Sequence, residues 1–270
     1  MPTGKIAHHQ KYRLEKFMNV KQLLAFYGAV TICFLIAIKP VLSATDNDIN
    51  LIEASARGDL RIFKMMLEMG ANPNALDNGG NSAILKAAYY EHRDFVRKLI
   101  ELGADVNGKG SLGYSPIGAA SMREDSQILR MLIKAGARVN ERDDAGGTPL
   151  LNAIRFQREN NFKALLDAGA DVDKSSATGE TPIELAAQIG RLDFLNALLE
   201  KKAEVNVSGD YGHTALYWAI TEGHDEIAKR LIRAGANVHN PVNGYTPLHW
   251  AKSLDRTAIA SQLLAMGVVN

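Results

Sequence analysis

An alanine that recurs at a fixed interval governs this sequence. Ala54, Ala87, Ala120, Ala153, Ala186 and Ala219 fall 33 residues apart without exception, and Ala251 follows after 32. A fixed period of this length marks stacked supersecondary units, none of which buries its apolar face alone. Sixteen residues after these alanines come Gly70, Gly103, Gly136, Gly169, Lys202, Gly235 and Gly267. The register predicts seven units, at approximately 45–76, 77–109, 110–142, 143–175, 176–208, 209–240 and 241–270.

Each unit reads alike. A Gly-containing turn leads into Ser115-Pro116, Thr148-Pro149, Thr181-Pro182 or Thr246-Pro247, with Ala in place of Pro at Ser82-Ala83 and Thr214-Ala215. The hydroxyl caps the orphan amides of a new helix, and Pro suits its first turn because its missing N–H has no partner there. A short, small-residue helix follows, and then a Leu-rich one such as EIAKRLIRAGANV. The Gly after the second helix supplies a left-handed C-cap. Lys202 takes that place in the fifth unit and predicts a strained or differently closed turn. Alanine lets neighbouring units approach, and leucine fills the space between them.

The motifs Thr246-Pro247-Leu248-His249, Gly103-Ala104-Asp105-Val106-Asn107 and Gly223-His224, repeated in register, resemble the ankyrin repeat. The resemblance implies an all-α repeat solenoid of about seven stacked helix–turn–helix units, with turn tips projecting to one side. It also implies a non-catalytic protein–protein interaction module. In the family, the histidine of T-P-L-H ties helix start to turn, a role that would fall to His249. The first and last units, which lack an opening turn and a full ending, are expected to be end caps with a polar outer face.

The first 44 residues read as an address. Six basic residues and one acidic lie there, and Leu23 to Ile38 runs sixteen residues without a charge before Val41-Leu42-Ser43-Ala44. That is the order of a secretory signal peptide, with cleavage expected after Ala44 or Ser43. Starting at Met18 gives a leader of more usual length. The alternative is an uncleaved anchor, although sixteen apolar residues are short of the roughly 20 a span requires. Either way, the positive flank leaves the body on the far side of the membrane. The leader, the compact loops and a body without cysteine fit a bacterial periplasm, Cys33 being the only cysteine.

Chemistry is hard to find. Beyond residue 44 there are 25 basic and 29 acidic residues, a net of −4, which gives no general case for nucleic acid. Gly108-Lys109-Gly110-Ser111-Leu112-Gly113 matches G-x-G-x-x-G, but it falls on a turn between units rather than between a strand and a helix. His92, His213 and His239 lack the spacing of a zinc site. Asn206-Val207-Ser208 matches a glycosylation acceptor in an ordinary repeat-end loop. No catalytic residue, metal site or cofactor is assigned.

A partner is expected at the turn tips and the exposed ends of the first helices. Mapping the register gives Asn78, Asn81, Tyr89, Tyr90, Leu112, Tyr114, Met122, Arg123, Asp144, Arg155, Phe156, Gln188, Ile189, Asp210, Tyr211, His213, Glu222 and Tyr245. Of these, Tyr89, Tyr90, Tyr114, Met122, Arg123, Arg155, Phe156, Tyr211 and Tyr245 form the expected binding set, since aromatic residues and Arg dominate interface cores. Trp218 and Trp250, one position before periodic alanines, are expected to face inward. The reading is an exported, monomeric module that binds another protein, to inhibit it as an immunity protein would, or to scaffold or protect it. An accessory role in oxidative-stress defence stays open, as does a cytoplasmic or host-directed adaptor or effector. Membrane attachment would come only through an uncleaved N-terminus.

Overall fold

The computed structural model describes residues 44–209 and 212–269; the signal segment expected at 1–44 lies outside them apart from Ala44. Among the described residues the chain is all helix and turn. Seven helix pairs follow one another: α1 (Ala44–Arg57) and α2 (Leu60–Glu68), α3 (Ala83–Tyr89) and α4 (Arg93–Glu101), α5 (Pro116–Ser121) and α6 (Ser126–Lys134), α7 (Pro149–Arg155) and α8 (Glu159–Asp167), α9 (Pro182–Gln188) and α10 (Leu192–Glu200), α11 (Ala215–Thr221) and α12 (Asp225–Arg233), α13 (Pro247–Ser253) and α14 (Thr257–Ala265). First helices pack on first helices of the next pair and second on second, which makes an all-α repeat solenoid. Isolated antiparallel bridges such as Leu76 with Ser82 close the turn tips.

The caps fall where hydroxyl chemistry places them. Ser82, Ser115, Thr148, Thr181, Thr214 and Thr246 each accept a hydrogen bond from the backbone N–H three residues on. Each such cap stabilises its helix by about 1 kcal/mol. The periodic alanines are buried, from Ala87 to Ala251 completely so. Leu99, Leu132, Leu165, Leu198, Leu231 and Leu263 form a second, fully buried row on the outer helices.

Lys202 does not close its turn differently. It adopts the left-handed conformation of the glycines it replaces, at φ 65°. It also keeps the same two bonds, donating to Leu199 O while Ala203 N donates to Leu198 O, both at 3.0 Å. A side chain in that region costs roughly 1–2 kcal/mol, so the turn is kept at the expense of local strain.

Side chains also tie one repeat to the next. Asn74, Asn107, Asn140 and Asn206 each donate to the C-cap carbonyl of the following repeat, and each accepts from an amide two residues beyond it. Asp173 stands in this row and accepts from Glu204 N, but a carboxylate has no N–H to give the Lys202 carbonyl. A second set of ties runs at the other end of the pairs. His92 Nε2 donates to Ala56 O at 3.2 Å, His224 Nε2 to Gln188 O at 3.1 Å, and Arg158 Nε to Met122 O at 2.9 Å. The carbonyl can only accept, so each ring carries its proton on Nε2.

The C-terminal repeat does not present the polar outer face expected of an end cap. Thr257 to Val269 contains no charged residue. Leu264, Met266 and Val269 are exposed, and Leu264 sits at the position that Ile232 buries against the next repeat.

Candidate functional site

Turn tips and the C-terminal ends of the first helices share one face, because each first helix is held by its cap directly beneath its tip. In repeats two to four this face carries rings and guanidinium groups. Tyr89 and Tyr90 end α3, 40% and 48% exposed, with their rings edge to face at 5.1 Å. The Arg123 guanidinium lies 5.0 Å from the Tyr89 ring centre and 3.7 Å from Glu91. Glu91 is itself fixed, since Oε1 accepts from Glu124 N and Asp125 N at the start of α6. A cation held over a ring in this way is positioned for contact at little further ordering cost.

Tyr114 is half-buried, and burial raises its hydroxyl above the ordinary tyrosine value, with Asp143 adding to the effect and Arg155 opposing it. Arg155 pairs with Glu180 of the next repeat, and Phe156 beside it is 45% exposed. Tyr245 is 49% exposed and stacks on His249 at 4.3 Å. Tyr211 and Asp210 lie outside the described residues.

Two residues mapped to this face are not on it. Met122 is buried, with 9% exposed. The backbone on either side of it is held by Asn161 of α8, whose amide donates to Ala120 O, Ser121 O and Arg123 O at the end of α5, which stops at Ser121. Asn81 is also buried and serves the turn, accepting from Ser111 N and donating to Asp77.

The C-terminal repeats carry a ring cluster that includes the two tryptophans expected to face inward. Trp218 and Trp250 are half-buried, not enclosed. His213 stacks on Tyr217 at 4.5 Å and meets Trp218 edge-on at 4.9 Å, while Tyr217 meets Trp250 at 5.6 Å. His249 does not tie helix to turn; its ring is exposed and stacks on Tyr245. Glu184, at the same position in repeat five, makes that connection. Its Oε2 accepts from Thr181 N and Oγ1 and its Oε1 from Gly209 N. Burial pushes the Glu184 carboxyl above the usual carboxylate range, with Glu180 adding to the effect against the hydrogen bonds it receives.

A cleft of about 420 Å³ opens here, lined by Thr178, Glu180, Glu184, Gly209, His213 and Trp218. A second, of about 390 Å³, lies between α1 and the tip of repeat two and is lined by Ile49, Ile52, Lys86 and neighbours. Among the described residues no group of three or more His, Cys, Asp or Glu side chains is arranged to hold a metal. The G-x-G-x-x-G stretch is a turn tip: Leu112 stands 71% exposed at its apex, and Gly110 lies so close to Leu85 and Asn81 that a side chain there would collide. The Asn206 amide of the glycosylation pattern is engaged in the repeat-to-repeat row.

A family model described as ankyrin repeats, in three copies, matches the chain over residues 22–110, 51–143, 117–209 and 185–270. No curated protein matches it.

Proposed function

Since the chain belongs to the ankyrin-repeat family, whose members bind other proteins and are generally non-catalytic, we propose that it is an exported binding module that recognises one partner through the tip-and-helix-end face. The observation that carries this is the exposure, on a surface the fold does not need, of Tyr89, Tyr90 and Phe156 beside the ring-bound Arg123. Rings and guanidinium groups that leave water on binding supply most of the energy of a protein interface. Export is supported by the basic, apolar and small-residue order of residues 1–44. The partner is then a protein of the bacterial envelope or a secreted one, and the module inhibits or protects it.

The test is a tagged recovery from the periplasmic fraction, native chain beside a Tyr89→Ala, Tyr90→Ala, Phe156→Ala variant with matched thermal unfolding. A protein recovered by the native chain and lost with the variant is expected. Equal recovery by both refutes this face. The mass of the fractionated chain tests export: a product shortened by the leader is expected, and a full-length chain in the cytoplasm refutes it.

A further inference from the structure

With the solenoid read as a protein-binding module, we propose that the cleft between repeats five and six is a socket for a cationic side chain, a lysine or arginine, of the bound protein. The Trp218 and His213 rings and the Glu180 and Glu184 side chains line it, with Trp218 edge-on to His213.

Glu184 is the singular element. The same register position holds Leu85, Gly118, Leu151, Tyr217 and His249 in the other repeats, so the fold does not require a charge there. Yet a carboxylate occupies it at 2% exposure. Its two oxygens already receive Thr181 and Gly209, which makes it a fixed acceptor and not a wandering side chain. Glu180 lines the same cleft, and its charge adds to the burial that raises the Glu184 carboxyl. Among the described residues the cation paired with this couple is Arg155, on Glu180. Two carboxyl groups thus line a cleft against which one guanidinium is seated, and Arg155 demonstrates that Glu180 accepts a guanidinium.

Charge complementarity therefore selects the occupant. An anionic group would meet two carboxylates, and a neutral side chain would leave their repulsion in place. A lysine or arginine offsets it, lays its cation against the face of an indole, and runs its methylene stem along the rings.

The experiment uses the native chain carrying Trp250→Phe, which leaves Trp218 as its only indole. Its fluorescence is followed during titration with acetyl-Gly-Arg-Gly-amide, acetyl-Gly-Lys-Gly-amide and acetyl-Gly-Gln-Gly-amide. The arginine and lysine peptides should give saturable responses in the millimolar range, weakened by salt, and the glutamine peptide none. Arg155→Gln, which unmasks Glu180, should tighten arginine binding severalfold, and Glu180→Gln should weaken it severalfold. Opposite signs cannot come from a general loosening of the fold. Equal responses to all three peptides, no response to any, or both variants shifting the same way would overturn the socket. No partner protein is present in this titration, so its result stands apart from the recovery experiment.

Discussion

Asn161 sits where the six other repeats carry Ile62, Phe95, Ile128, Phe194, Ile227 and Ile259. It is 1% exposed, and its amide reaches Ala120 O at 3.1 Å, Ser121 O at 3.3 Å and Arg123 O at 2.7 Å. An amide group has two hydrogens, so three acceptors share two bonds, worth about 1 kcal/mol each net. Removing both also strands buried carbonyls, at roughly 1–3 kcal/mol for each that no other donor reaches. The Asn161 Oδ1 atom finds no protein partner, and losing it returns part of that cost. Asn161→Ala should therefore destabilise the chain by about 2–4 kcal/mol, read as a lower urea midpoint by circular dichroism at unchanged slope.

Asn161→Asp sharpens the test, because it keeps the shape and replaces the donor with an acceptor. At neutral pH a carboxylate would face three carbonyls in a buried site, so the loss should equal or exceed that of the alanine variant. Its folded pKa would be raised, so its protonated form favours folding. Stability should then recover as pH falls through that raised value towards the ordinary aspartate value of about 3.9. An alanine variant within about 0.5 kcal/mol of the native chain, or an aspartate variant milder than alanine at neutral pH, would refute the account of what closes α5.

Ala153→Leu should overpack the fully buried seam and cost about 1–3 kcal/mol by chemical denaturation. Lys202→Gly with Asp173→Asn should relieve the left-handed strain and restore the missing donor, stabilising by about 1–2 kcal/mol in the same assay. The raised Glu184 pKa favours folding when protonated, so the native chain should gain stability relative to Glu184→Gln as pH falls from neutral through that raised value, with the gain complete below about 4.3. Tyr90→Ala and Phe156→Ala should leave thermal unfolding nearly unchanged, within about 0.5 kcal/mol; unfolding by either would place those rings in the core.

The register was legible because it is written in residues that tolerate no substitute. Only a small side chain fits the Ala153 seam, and only a hydroxyl or its equivalent caps the first helices. The surface was legible where it depends on register alone, as at Tyr89, Tyr90, Arg155, Phe156 and Tyr245. It failed where a residue outside the pattern intervened. Met122 has the register position of Tyr89 yet is buried, and the backbone around it is held by an asparagine 39 residues away. The two tryptophans failed for a different reason. Their row holds Lys86, Ala119, Asn152 and Leu185 in the other repeats, half-buried at Lys86 and buried at the other three, so neither the row nor the adjacent alanine foretells a half-buried indole.

Reading down rows also separates two chemistries on one face. The tie position runs Leu85, Gly118, Leu151, Glu184, Tyr217, His249, apolar or absent in the early repeats and polar or aromatic in the later ones. Early in the chain the rings and cations stand at helix ends, as Tyr89 and Arg123 do, fixed from beneath by Glu91. Late in the chain the rings meet one another, His213 of the tip stacking on Tyr217 and Tyr217 meeting Trp250 edge to face. Arg155 and its Glu180 partner stand where the two meet. A partner that spans both halves would meet held cations at one end and an acidic, ring-walled cleft at the other. Its own surface would need carboxylates or rings for the first and a lysine or arginine for the second, a polarity that fixes which way round it lies along the repeats.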